Sequence, residues 1–205
     1  MHKGGGFGKT VTALAASACL AMVLASGSGE AQPKPAQSSV AAKRVERGKY
    51  LVTILACNDC HTPFKMGPNG PEPDMSRMLS GHPEGMKLPP PPRLSGPWMA
   101  AAVPNSAWAG PWGISYSANL TPDKNTGLGI WTEDMFLKAM KTGKHMGTSR
   151  QIQPPMPWNW LAQATDDDLK AMFAYLRSIP PIVNHVPDWQ EPPSAPPPGK
   201  SAPKK

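Results

Sequence analysis

Cys57 and Cys60 stand two residues apart and His61 follows directly, in the run Cys57-Asn58-Asp59-Cys60-His61. Two thiols on one short turn reach the two vinyl groups on the same side of a porphyrin and add to them as thioethers. The imidazole that follows is drawn beneath the iron. With three Cys and five His in 205 residues, the run stands out from the background of this composition. It implies one covalently bound haem c, attached through Cys57 and Cys60, with a neutral His61 imidazole as proximal iron ligand. Two other chemistries use paired cysteines. A redox dithiol belongs in a βαβ setting and a structural zinc site needs two further ligands at short spacing, and neither pattern surrounds this run. The other ring nitrogen of His61 is expected to donate to a backbone carbonyl, with the loop from Pro89 to Arg93 as candidate acceptor.

The second axial position of such an iron needs a donor from elsewhere in the chain. Met156 lies in Pro154-Pro155-Met156-Pro157, where three prolines restrict the backbone and present the thioether at low entropic cost. Met146 and His145, in Lys144-His145-Met146-Gly147, are the alternative donors. Met140 and Met172 fall on apolar helix faces and read as core. His82 and His185 sit near Pro-rich turns, where exposure or a backbone hydrogen bond is expected. A His/Met pair fills both axial positions and raises the reduction potential relative to two His ligands, which suits electron transfer. A vacant or labile sixth position would instead suit a haem enzyme or a gas sensor.

The elements that carry these residues are mostly helical. From Ala42 to Cys57, Val45, Leu51, Val52 and Leu55 recur near helical spacing, and a single Gly48 is tolerable if another element packs closely there. Thr132 caps a second helix, with Glu133 and Asp134 in its first turn and Gly143 as its stop. Thr165 caps a third, with Leu169, Met172, Phe173 and Leu176 on one face before Pro180-Pro181. Asp166, Asp167 and Asp168 supply favourable charge at that helix N-terminus rather than a metal site. Between Pro63 and Pro122 the chain is rich in Gly and Pro, including Pro89 to Pro92, and only Trp108 to Leu120 reads as a short hairpin, turning at Gly110-Pro111. Trp98, Trp108, Trp112, Trp131, Trp158 and Trp160 supply aromatic surface for enclosing a large ring or for ordinary packing.

Residues 1–31 carry Lys3 and Lys9 ahead of an apolar run, Val11 to Ala25, shorter than a membrane span, and have the layout of a cleaved export signal. Cys19 falls inside that run and reads as part of the discarded signal rather than as a lipidation site. Residues 32–42 read as a flexible linker, 43–187 as one domain, and 188–205 as a disordered Pro/Lys-rich tail. The formal charge of +7 suits an acidic partner or an anionic membrane surface, and equally an ordinary basic exported protein. No Lys/Arg cluster interleaved with aromatics points to nucleic acid. No Gly-x-Ser-x-Gly, His-Glu-x-x-His, phosphate-loop or dinucleotide pattern points to independent catalysis.

Ser80-Gly81-His82-Pro83, Asn119-Leu120-Thr121-Pro122-Asp123, Thr126 to Thr132, Met156-Pro157-Trp158 and Asp168 to Pro181, together with the Cys57 to His61 run, resemble bacterial class I c-type cytochromes. The resemblance spans Arg44 to Pro187 and points toward the cytochrome subunits of membrane-bound alcohol and gluconate dehydrogenases. It implies a mainly α, cytochrome c-like domain around one haem, with a long irregular insertion and one short hairpin, and Met156 as the distal ligand. It also implies a periplasmic electron carrier, not an enzyme. Its redox partners would be a dehydrogenase or respiratory complex, and its membrane association would run through a partner or an uncleaved N-terminus. Those subunits carry several haem domains, whereas this chain has one such run.

Overall fold

Pro35 opens the first helix, as suits a residue with fixed φ and no N–H to satisfy. The computed structural model describes residues 35–94 and 96–192. The expected export signal, residues 1–31, lies outside them. Helix α1 runs from Pro35 to Ile54. The linker expected over 32–42 is therefore helical from Pro35 onward, because Ala36, Gln37, Ala41 and Ala42 favour a helix and the one proline sits where a helix tolerates it. Leu55 and Ala56 break the element, with Ala56 at φ 55, and α2 (Cys57–His61) follows as a separate turn.

The chain then makes two antiparallel sheets. Strands β1 (Phe64–Gly67) and β2 (Gly70–Pro73) form a hairpin. Strands β3 (Ala100–Ala101), β4 (Ala107–Gly110) and β5 (Gly113–Tyr116) form a three-stranded sheet in that order. Gln190 bonds both ways with Ile114 and so extends the sheet past β5 (2.9 and 3.0 Å), while Trp189 Nε1 donates to the Trp112 carbonyl at 2.7 Å. The segment expected to be disordered from residue 188 is thus tied down at Trp189 and Gln190, and everything after Pro192 lies outside the described residues.

Helices α3 (Glu133–Thr142), α4 (Trp158–Leu161) and α5 (Asp166–Ser178) complete the fold. The expected mainly α class is not what forms. Among the described residues five α-helices share the chain with five strands in two sheets, and the sheets occupy the stretch expected to be largely irregular. Strands β4 and β5 form the hairpin expected at Gly110-Pro111, whereas β1, β2 and β3 are two to four residues long and lack the alternating apolar pattern that announces a strand. Among the described residues no helix is long and apolar enough to cross a membrane.

The core gathers Leu51 and Val52 of α1, Leu79, Leu128, Phe136 and Met140 of the middle, and Leu169, Met172, Phe173 and Leu176 of α5. Helices α1 and α5 pack directly against each other. Gly48 lies at their contact, where a β-carbon would overlap the Ala171 carbonyl oxygen. Ion pairs from Arg44 to Glu133 and from Arg47 to Asp168 (3.0 Å) flank this seam. Both expected caps are present: Thr132 accepts from the Met135 N–H at 3.2 Å and Thr165 from the Asp168 N–H at 3.1 Å. Replacing Thr165 by Ala is expected to lower unfolding free energy by about 1 kcal/mol, read as a reduced urea midpoint with an unchanged slope.

Candidate functional site

Helix α2 is the element that presents Cys57, Cys60 and His61. Its left-handed entry at Ala56 frees it from the direction of α1, and its exit is fixed by Thr62, which donates to Asn58 Oδ1 (2.9 Å) and accepts from the Leu79 N–H (2.9 Å). Both thiols are partly accessible and unbridged, and Cys57 packs against the core. Burial pushes the Cys57 thiol up to about 11 and raises that of Cys60 as well. Thiols held neutral in this way are the reverse of the low-pKa thiolates of a redox dithiol. Among the described residues no group of three or more His, Cys, Asp or Glu is arranged to hold a metal ion, so no completed zinc set surrounds them.

His61 is buried, and its Nδ1 bonds the Ala118 carbonyl at 2.8 Å. Donation there places the proton on Nδ1 and leaves the Nε2 lone pair as the coordinating one. Burial lowers the imidazole below its usual range and the Ala118 bond opposes it, so the ring is held neutral, the form a ligand needs. The acceptor was expected in the loop from Pro89 to Arg93. It lies instead in the segment just after β5, which Ser117 fastens to α2 by donating its hydroxyl to the Cys60 carbonyl.

Met156 is partly buried against the same core as Cys57, on the loop between α3 and α4. Ile152 N–H donates to the Gly143 carbonyl at 2.7 Å, Trp158 packs over Gly143, and Ser115 Oγ donates to the Pro154 carbonyl at 2.5 Å. The loop is therefore held at both ends. His145 is placed differently. Its ring meets Trp131 edge-on at 5.1 Å, and its carbonyl accepts from Ser149 Oγ at 2.7 Å. Met146 sits beside it at φ 54 in a short 3-10 turn, partly buried.

His82 and His185 were both expected to be exposed or bonded to backbone; His82 is fully buried, with Nδ1 on Ser106 Oγ at 3.0 Å and its ring against Tyr116 at 4.9 Å, and His185 is exposed. Burial lowers the His82 imidazole, with the Met86 backbone opposing and the Arg77 charge assisting. The unfolded chain then binds the proton more readily than the folded one. Stability falls as pH drops below the unfolded value of about 6.5. Changing His82 to Asn, which can still bond Ser106, is expected to flatten that decline, measured by urea unfolding at about pH 7 and about pH 5.5.

Sequence reasoning missed two buried amides that organise this region. Asn119 Oδ1 accepts from the Thr121 N–H (3.0 Å) and hydroxyl (2.7 Å), while Nδ2 donates to Ile182 O (2.8 Å) and Thr126 Oγ1 (3.1 Å). Asn184 does the same for the stretch from Arg77 to Glu84. An Asn in a Pro-rich stretch reads as a turn residue, and nothing local announces its burial.

No protein-family model matches the chain. It is 29% identical over 182 residues to the fructose dehydrogenase cytochrome subunit of Gluconobacter japonicus, covering 87% of this chain and 31% of that protein. It is 30% identical over 139 residues to the gluconate 2-dehydrogenase cytochrome c subunit of Pantoea cypripedii, covering 67% and 24%. To the cytochrome c subunit of the quinone alcohol dehydrogenase of Gluconobacter oxydans it is 27% identical over 149 residues, covering 70% and 24%. The chain thus spans about a quarter to a third of these relatives' length. It is related in sequence to cytochrome c subunits of dehydrogenases.

Proposed function

We propose that the chain is a c-type cytochrome domain that carries single electrons for a dehydrogenase or respiratory partner on the periplasmic side of a membrane. In this reading Cys57 and Cys60 would hold one haem as thioethers, His61 Nε2 would bind its iron, and Met156 would supply a second ligand. The haem, when bound, supplies the one-electron couple of its iron. The residues around it do the rest. His61 keeps its proton on Nδ1, Ala118 fixes the ring plane, and the prolines flanking Met156 limit the motion of its thioether.

The observation that carries this reading is the buried His61, directly after two accessible thiols, with its Nδ1 committed to Ala118 at 2.8 Å. The large apolar side chains beside both ligand segments support it. Ile54 and Leu55, just before Cys57, are 54% and 44% exposed, and Trp160, just after Met156, is 75% exposed. A porphyrin seated between those segments would cover apolar surface that otherwise faces water. The relationship to dehydrogenase cytochrome subunits favours a dehydrogenase as electron donor, with this chain as the acceptor rather than the catalyst.

The test is to produce the chain in a host that matures c-type cytochromes. The account expects haem that stays with the polypeptide after denaturation, is lost in the Cys57→Ser, Cys60→Ser double variant, and gives a reduced spectrum unchanged by carbon monoxide. Haem extracted by denaturation would overturn covalent attachment. A ready shift with carbon monoxide would instead indicate an enzyme or gas sensor with an open iron.

A further inference from the structure

We infer that the strip Ser80-Gly81-His82, clamped from behind by Asn184, is the positioning element that holds the Ala118 carbonyl against His61 and thereby sets the electron affinity of the iron. The inference rests on the proposed ligation of that iron by His61. Ala118 lies in an irregular segment and has an exposed side chain, so the direction of its carbonyl is set by its neighbours. On one side the His82 N–H donates to Ser117 O at 3.0 Å, and on the other the Leu120 N–H donates to Leu79 O at 2.9 Å. Between these two bonds the Gly81 N–H donates to the main-chain oxygen of His61 at 2.8 Å. One strip therefore grips both partners of the imidazole–carbonyl bond.

Gly81 is the point of closest approach. It sits at φ 78, and a β-carbon there would lie 2.7 Å from the carbon and the oxygen of the Ala118 carbonyl. Only glycine meets both conditions without moving that carbonyl. Asn184, 1% exposed, closes the strip from the other side. Its Nδ2 donates to Ser80 O (2.7 Å) and His82 O (2.8 Å), the carbonyls on either side of Gly81. Its Oδ1 accepts from Arg77 Nη2 and the Glu84 N–H, both at 2.9 Å. With donors and acceptor all engaged, the amide cannot turn without breaking several buried bonds at once.

The consequence is electronic. A carbonyl that accepts the Nδ1 proton makes Nε2 more basic and so favours the oxidised iron. Loosening the bond favours the reduced iron, which gains one electron from an external donor while the proton stays on Nδ1.

The experiment uses the haem-loaded protein and two neutral substitutions, Gly81→Ala and Asn184→Ser, with Thr165→Ala at the exposed cap of α5 as a stability control. Redox titration followed by absorbance is expected to shift the couple toward the reduced form in both. A tenfold change would be about 59 mV positive for a one-electron couple. In the reduced protein, the His61 ring N–H is expected to exchange slowly with solvent in the parent and faster in both variants. Thr165→Ala is expected to lower stability and leave potential and exchange as in the parent. Rapid exchange of that proton in the parent would overturn the positioning role without any variant. So would parental potential and exchange in either variant that retains covalent haem, while leaving the ligation reading intact. A parent without covalent haem, or with iron not bound to His61, would overturn the ligation reading and this inference with it.

Discussion

Replacing Gly48 by Ala is expected to lower the unfolding free energy by about 2 kcal/mol, although Ala is the better helix former. The added methyl group meets the Ala171 carbonyl and the Tyr175 β-carbon, and the first of these is helix backbone that no rotamer change can move. Overpacking of this kind costs up to about 3 kcal/mol. Helix propensity returns about 1 kcal/mol in the other direction. Urea unfolding decides the sign. If Gly48→Ala is more stable than the parent, propensity governs the position, and α1 and α5 do not meet as closely as described.

The Asn119→Ala change is expected to cost about 2 kcal/mol, since it leaves the buried Thr121 N–H without its partner and weakens the bonds around it. The Thr121 N–H loses its acceptor and the Ile182 carbonyl loses its shorter donor, keeping only the Thr121 hydroxyl at 3.3 Å, in a site where Asn119 is 3% exposed. The same amide joins the stretch after Ala118 to the segment after α5, alongside bonds from Thr121 and Thr126 that remain. The measurement is again the urea midpoint. A loss below about 1 kcal/mol would mean that water replaces the amide and that the site is less closed than described.

What was legible in the sequence follows a physical rule. Thr132, Thr165 and Gly143 act through bonds within one helical turn, so local order reveals them, and the apolar spacing of α5 reveals its buried face. Gly48 was legible as a question, because a helical glycine asks for a close neighbour, but the neighbour could not be named. Of the sheets only the β4–β5 hairpin was legible, through its Gly110-Pro111 turn. Strand β1 pairs Lys65 with Glu72 and Met66 with Pro71 on an exposed hairpin, with no apolar face to alternate. The acceptor of His61 was illegible for a deeper reason: it is a main-chain carbonyl, which every residue has, and only the path of the chain selects Ala118. Asn184 was hidden likewise, since its partners lie about a hundred residues earlier in the chain. The start of α1 was misread because Pro, Ala and Ser in one stretch signal a linker by composition while still allowing a helix by position.

The central claim is that one haem iron sits between His61 and Met156. The most direct measurement is the far-red absorption of the oxidised, haem-loaded protein, where a sulfur-to-iron charge-transfer band reports thioether ligation, taken for the parent and for Met156→Ala. The account predicts that the parent shows the band and that Met156→Ala loses it while keeping its covalent haem. A parent lacking the band, or a Met156→Ala protein that retains it, would contradict the assignment.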